Sequence, residues 1–131
     1  MNIGEVANQA GVAPKTIRYY ESVGLIPAAT RRANGYRDYR TADLHTLRFI
    51  QRARALGFAV AEVEELLTLW RNKRRKSSAV KAMATAKIDE IDRKIAALQA
   101  MKRAIRYLTA NCHGDTRPEC PILDELAGGR A

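Results

Sequence analysis

Apolar residues recur at helical spacing in two short stretches near the start of the chain. The first, NIGEVANQAG, begins with Asn2 and has Glu5 three residues later, which is the pattern of a capping box at a helix start. The second, VAPKTIRYYESVG, has Pro14 near the first helical position. Gly11 and Gly24 are the last residues of the two stretches and are typical of helix ends. The pattern predicts two short helices joined by a tight turn, a helix-turn-helix.

The next stretch, LIPAATRRANGYRDYRT, predicts a β-hairpin. Asn34-Gly35 is the strongest short hairpin signal, because both residue types tolerate a positive φ. The flanks of this turn are basic and aromatic: Arg31, Arg32, Arg37, Arg40, Tyr36 and Tyr39. A basic hairpin that follows a helix-turn-helix is a wing.

Two further helices are expected after the hairpin. Thr41 should cap the third helix, whose predicted buried side consists of Leu44, Leu47, Ile50 and Leu56. The fourth helix has Ala59 where a polar cap is usual, and its predicted inward side consists of Val63, Leu66, Leu67 and Trp70.

A long helix is predicted next, because residues 78–109 contain no glycine or proline. Its apolar positions follow the spacing of a coiled-coil seam, with Lys102 as the one polar core position: Ile88, Ile91, Ile95, Leu98 and Ile105. A helix of about 30 residues is roughly 45 Å long, which exceeds what a 70-residue domain can cover. We therefore expect the seam to pack against a second copy in a homodimer. A helix that folds back on its own domain is the alternative.

The patterns together predict a mainly all-α chain in three segments. Residues 1–70 form a winged helix-turn-helix DNA-binding domain, residues 71–110 a linker and dimerisation helix, and residues 111–131 a metal-binding loop with a short C-terminal helix. No apolar run reaches the roughly 18 residues that a membrane span needs, and the N-terminus lacks the pattern of a signal peptide. A cytoplasmic location without membrane attachment is expected.

Charge points to a polyanionic partner. The net charge is +9, and the basic residues are concentrated in residues 15–54 and 71–111. Such blocks are typical of nucleic-acid binding, although a run such as RNKRRK at 71–76 is also compatible with a merely solvated helix face. In PKTIRYYE, Ile17 and Tyr20 should face the core, which leaves Lys15, Arg18 and Tyr19 free to enter a DNA groove.

The stretch IGEVANQAGVAPKTIRYYESVGLIPAATRRANGYRDY resembles the N-terminal module of the MerR family of transcriptional regulators. The elements TIRYYE, GL, NGYR-Y and LGF occur in the family's order. The cysteine loop that ends in CPI resembles the copper-efflux subgroup of CueR/HmrR type. Ala13 and Pro14 depart from the family's usual Ser or Thr cap, which proline at the first position can offset.

This resemblance implies a winged-helix dimer with an antiparallel coiled coil. It also implies binding to a dyad-symmetric promoter spacer in double-stranded DNA, which the metal-loaded protein distorts so that RNA polymerase can use the promoter. Matching family positions suggest DNA contacts by Lys15, Arg18, Tyr19, Arg31, Asn34, Tyr36, Arg37 and Arg54.

The only cysteines, Cys112 and Cys120, are the candidate metal ligands. A structural zinc site needs four ligands, and one loop with two cysteines and His113 does not supply them. Two soft thiolates suffice for a monovalent d¹⁰ ion, which favours Cu(I), with Ag(I) or Au(I) as alternatives. We assign His113 no ligand role.

Position 77 supports the same interpretation. Divalent-metal members of the family have a cysteine at the start of the long helix, where this chain has Ser77. We expect Ser77 and Lys81 to stabilise the bound ion without ligating it, through the helix N-terminus and a positive charge, with the basic run before them as the alternative source of charge.

Three alternatives remain. The cysteines could form a reversible disulfide in a thiol redox sensor, or the protein could sense zinc, lead or mercury, which Ser77 disfavours. An enzyme has little support, because no phosphate-binding glycine loop, catalytic triad spacing or acid–base pair is present.

Overall fold

The computed structural model describes residues 1–31 and 33–128. Helices α1 (Ile3–Ala10) and α2 (Pro14–Ser22) precede a two-stranded antiparallel sheet of β1 (Thr30–Arg31) and β2 (Arg37–Asp38). Four helices follow: α3 (Thr41–Ala55), α4 (Val60–Arg71), α5 (Ser77–Ala110) and α6 (Pro121–Leu126). Arg32 and residues 129–131, which belong to the predicted wing and C-terminal segment, lie outside the described residues.

Local hydrogen bonds define the helix-turn-helix as the sequence predicts. The Asn2 side chain accepts from the Glu5 backbone N–H at 2.8 Å, and the Glu5 carboxylate accepts from the Asn2 N–H at 3.2 Å. Gly11 ends α1 with φ of 68°, a conformation that glycine adopts without steric cost. Pro14 is the first residue of α2, after an Ala13 cap position that has no side-chain bond.

The core lies between α1, α2, α3 and α4. Each fully buried large apolar side chain of this core contributes about 1.5–3 kcal/mol to the stability of the fold. Packing of the core orients α2 and the hairpin. Its fully buried members are Val6, Ile17, Ile26, Leu47, Ile50 and Val63. The chain divides into two compact units, Met1–Lys81 and a second that begins at Ala82. The boundaries of the three predicted segments stay predictions.

Two helix starts depend on a carboxylate one turn inside the helix. Thr41 was expected to cap α3, but it is the first helical residue, and Arg40 occupies the cap position. The Asp43 carboxylate accepts from the Arg40 N–H at 2.9 Å, so that acid satisfies the free donor. Ala59 occupies the cap position of α4, where the Glu62 carboxylate accepts its N–H at 2.7 Å.

The strands pair Arg31 with Arg37 in antiparallel register, so the predicted hairpin is confirmed. Two further expectations for this unit were wrong. Gly35 has φ of 84°, whereas no described non-glycine residue, Asn34 included, has a positive φ. Leu56 and Trp70 were expected to be buried, but they are 66% and 43% exposed, because they lie where α3 and α4 leave the core.

The seam residues of α5 are accessible in the single chain. Ile88, Ile91, Ile95, Leu98 and Ile105 are between 39% and 61% exposed. Among the described residues, no helix combines the length and the apolar character needed to cross a membrane.

Candidate DNA-binding face and thiol pair

Helix α2 has one buried side and one exposed side. Ile17 and Tyr20 are buried. Lys15, Arg18 and Tyr19 are exposed and share a face, because positions three and four residues apart lie above one another on a helix. The Tyr19 ring is 49% exposed and lies 6.0 Å from the Tyr20 ring, measured between centroids. The sequence-predicted separation of the two sides is confirmed.

The hairpin loop is ordered by side chains that were predicted to contact DNA. Arg31 donates through Nη1 to the Gly35 carbonyl at 3.1 Å. The Asn34 carboxamide oxygen accepts from the Tyr36 N–H at 3.1 Å, so Asn34 stabilises the loop itself. The Tyr36 side chain is 69% exposed and available for contact.

Two other predicted DNA-contact residues have partners within the chain. The Arg37 guanidinium lies 3.1 Å from the Glu21 carboxylate of α2. Arg54 donates through Nη1 to the Phe58 carbonyl at 2.9 Å and thereby bridges the turn between α3 and α4. All eight predicted DNA contacts stay predictions, but these two side chains also have an internal structural role.

The first unit has an apolar pocket that no sequence motif indicated. The Phe49 and Trp70 rings stack at 4.5 Å between centroids with an interplanar angle of 10°. The pocket has a volume of about 610 Å³ and a basic edge formed by His45, Arg48 and Arg52. Phe49 lies next to the buried Ile50 and is not one of the predicted buried positions of α3. The helical spacing of apolar residues therefore did not predict its stacking on Trp70.

The two cysteines lie close together at the end of the chain. Cys112 follows the end of α5, and Cys120 is the cap residue of α6. Their sulfur atoms are 3.9 Å apart, and both are half-buried free thiols. The sequence-predicted pairing of these side chains therefore has a geometric basis.

The start of α6 favours the thiolate form of Cys120. The Leu123 backbone N–H lowers the pKa of the Cys120 thiol most, with further lowering by the Ile122 N–H and by Cys112, against the opposing effect of burial. Because the thiolate is the metal-binding form, this environment favours binding of a cation.

The sulfur distance is compatible with one bridging ion. With metal–sulfur bonds of about 2.3 Å, two thiolates span about 3.8 Å at a tetrahedral angle and about 4.6 Å in a linear arrangement. The observed 3.9 Å fits a bent arrangement and needs to open by about 0.7 Å for a linear one. Within residues 1–31 and 33–128, no group of three or more His, Cys, Asp or Glu side chains gathers at one place. His113 is exposed, as are Ser77 and Lys81 in the first turns of α5.

Comparison with known proteins gives the family. Residues 1–69 match the family described as MerR HTH family regulatory protein, and residues 44–108 match the family described as MerR, DNA binding. The chain is 54% identical to heavy metal-dependent transcription regulator 2 of Rhizobium meliloti (strain 1021). The match covers all of this chain and 89% of the relative.

A second relative and a solved structure agree with this match. The chain is 56% identical to the HTH-type transcriptional regulator HmrR of Sinorhizobium medicae (strain WSM419), with 98% of this chain and 88% of the relative covered. The transcription regulator PbrR691 from Ralstonia metallidurans CH34, solved in complex with lead(II), superposes with a TM-score of 0.82 at 34% identity. That superposition covers 96% of this chain and 98% of PbrR691. The chain belongs to the MerR family of DNA-binding transcription regulators and is not an enzyme.

Proposed function

We propose that this chain is a cytoplasmic, metal-responsive transcription activator that binds Cu(I) between Cys112 and Cys120, with Ag(I) and Au(I) as alternatives. The observation that carries the proposal is the 3.9 Å separation of two free thiols with no third ligand among the described side chains around them. Similarity to a regulator named as heavy metal-dependent supports a response to metal.

The number of ligands favours a monovalent ion. Soft thiolates bind Cu(I) well, and a d¹⁰ monovalent ion is satisfied by two of them, whereas a closed zinc site takes four ligands. Two thiolates and one Cu(I) carry a net charge of −1, which a nearby positive charge or helix N-terminus stabilises.

A dimer would bring such groups to the loop. The exposed seam of α5 supports association of two copies. Resemblance to the MerR family, which implies an antiparallel coiled coil, supports the same association. In an antiparallel pair, the start of one long helix lies beside the end of the other. Ser77 and Lys81 of the partner subunit would then stabilise the ion held by Cys112 and Cys120.

The response would consist of a distortion of promoter DNA. We propose that the dimer binds a dyad-symmetric spacer through α2 and the hairpin, and that the metal-loaded form bends and untwists it for RNA polymerase. Such deformation costs on the order of a few kcal/mol. The protein would then exist in two conformations, one that distorts the DNA and one that does not. Metal binding shifts the equilibrium between them only by the difference in its binding free energy to the two conformations.

An anaerobic titration tests the metal site. The fully reduced protein competes with a strong Cu(I) chelator, with Zn(II) and Pb(II) titrated in parallel, and Cys112→Ser and His113→Ala serve as matched variants. We expect one Cu(I) per thiol pair, weak Zn(II) and Pb(II) binding, loss of Cu(I) binding in Cys112→Ser and retention in His113→Ala. Zn(II) or Pb(II) binding as tight as that of Cu(I) would contradict the argument from ligand number.

A thiol redox sensor is the second candidate, because the same sulfur distance also favours it. A disulfide bond is about 2.05 Å long, so the sulfur atoms need to approach by about 1.9 Å. Closure releases two protons and passes two electrons to an added oxidant such as a low-molecular-weight disulfide. Ready closure by that oxidant, together with loss of Cu(I) to the chelator, would favour this candidate over the copper sensor.

A further inference from the structure

A partly buried ion pair joins the hairpin to α2. Glu21 lies in the last turn of α2, and its side chain is only 8% exposed. The Arg37 guanidinium of β2 lies 3.1 Å from the Glu21 Oε2 atom and is 32% exposed. Tyr39, directly after β2, is 2% exposed. We call Glu21, Arg37 and Tyr39 the wing cluster.

The wing cluster is energetically demanding. Burying a carboxylate costs several kcal/mol unless a cation compensates it, and the C-terminal end of a helix disfavours negative charge further. The Arg37 contact is an ion pair without hydrogen-bond alignment, and among the described residues the buried Glu21 Oε1 and Tyr39 hydroxyl atoms lie beside it without a well-aligned hydrogen bond. Arg37 is therefore the cation that compensates the Glu21 carboxylate, and the Tyr39 phenol is the other polar group beside that carboxylate.

The environment of Tyr39 agrees with this arrangement. Burial raises the pKa of the Tyr39 phenol most, and the neighbouring Glu21 carboxylate raises it further, whereas Arg37 lowers it. The backbone of Tyr39 is also fixed, because its N–H donates to the Met1 carbonyl at 2.7 Å. The base of the hairpin is thus held from two sides.

We infer that Glu21 and Tyr39 hold Arg37 as a positioning residue, which fixes the angle of the hairpin against α2, and that Arg37 does not act as an independent phosphate contact. Its geometry differs from that of Arg31, which is exposed and donates to the Gly35 carbonyl of the hairpin loop. The inference rests on the proposal that this face binds promoter DNA. It assigns Glu21 a role in DNA affinity although Glu21 carries the same sign of charge as DNA.

The sign of the effect of Glu21→Gln separates this inference from simple electrostatics. Removing a negative charge near DNA, and freeing Arg37, should tighten binding if charge alone matters. If the wing cluster positions the hairpin, binding should weaken, by roughly three- to thirty-fold for a coupled contact of this kind. Glu64→Gln, an exposed acid of α4 with the same charge change, is the matched control and should leave affinity within about two-fold.

Arg37→Gln and the double variant Glu21→Gln/Arg37→Gln complete the test. We expect the double variant to bind about as weakly as Arg37→Gln alone, and Arg37→Lys to retain most of the affinity. An independent phosphate contact predicts additive effects and a salt dependence that falls by about 0.9 in slope for Arg37→Gln. Affinities are measured on one promoter fragment that the wild-type protein binds. The temperature is one at which all variants have the wild-type circular dichroism spectrum.

Hydrogen exchange at the Arg37 and Asp38 amides provides a readout that needs no DNA. We expect faster exchange at these amides in Glu21→Gln and no change in Glu64→Gln. Tighter DNA binding with unchanged exchange in Glu21→Gln would overturn the inference. Failure of the wild-type protein to bind any promoter fragment would instead refute the proposed function, and the exchange result would still decide whether the wing cluster fixes the hairpin.

Discussion

Replacing Ile95 by alanine should weaken a dimer that forms through α5. Fully burying an isoleucine side chain contributes about 1.5–3 kcal/mol, and Ile95 is 47% exposed in the single chain. Association can therefore gain roughly 0.7–1.4 kcal/mol from this side chain, or about 1.4–2.8 kcal/mol from both copies. Loss of that contribution raises the dimer Kd about ten- to one-hundred-fold.

Analytical ultracentrifugation over a range of concentrations measures this change. Tyr107→Ala is the matched control, because Tyr107 is 70% exposed on the same helix but lies off the seam. Both substitutions introduce alanine and so favour the helix in a similar way. A dimer Kd that is equally affected by the two variants, or a wild-type monomer at micromolar concentration, would refute the assignment of the seam.

The other predictions concern the ion, a buried phenol and base readout. Lys81→Glu should weaken Cu(I) affinity several-fold in the chelator competition, because it replaces a compensating positive charge by a negative one. Tyr39→Phe should remove one tyrosine whose phenol ionises at a raised pH in an absorbance titration. Because the pKa of Tyr39 is raised in the folded state, its contribution to stability is present below pH 10 and is lost as the pH rises through the raised pKa. Above pH 10, the free energy of unfolding should therefore fall less in Tyr39→Phe than in the wild-type protein. Arg18→Gln should reduce the preference for the promoter fragment over a scrambled duplex by about 1–3 kcal/mol, measured by fluorescence anisotropy.

Each of these three predictions has a result that would contradict it. Cu(I) affinity that changes equally in Lys81→Glu and in the exposed-linker variant Lys73→Glu would show only a general charge effect. A late-titrating tyrosine that persists in Tyr39→Phe would place the raised pKa elsewhere. Equal loss on both duplexes for Arg18→Gln would indicate a phosphate contact instead of base readout.

Features that depend on neighbours three or four residues away could be predicted from the amino-acid sequence. The Asn2–Glu5 capping box and the separation of Ile17 and Tyr20 from Arg18 follow from such short spacings, and the structure confirms them. The continuous helix from Ser77 to Ala110 was also readable, because no glycine or proline interrupts it. The family could be recognised because its motifs lie in order along the chain.

Tertiary structure alone decided the contacts between residues that are distant along the chain. The Glu21–Arg37 ion pair joins a helix to a strand, and no periodicity marks either residue for that role. Trp70 fits the inward pattern of α4 but stacks on Phe49 at the surface, because the end of a helix extends beyond the core. The sequence supplied two thiols, whereas their 3.9 Å separation depends on how the chain turns between α5 and α6. Hydrophobic spacing specifies which side of an element is buried, but the partner that it meets depends on packing of the whole domain.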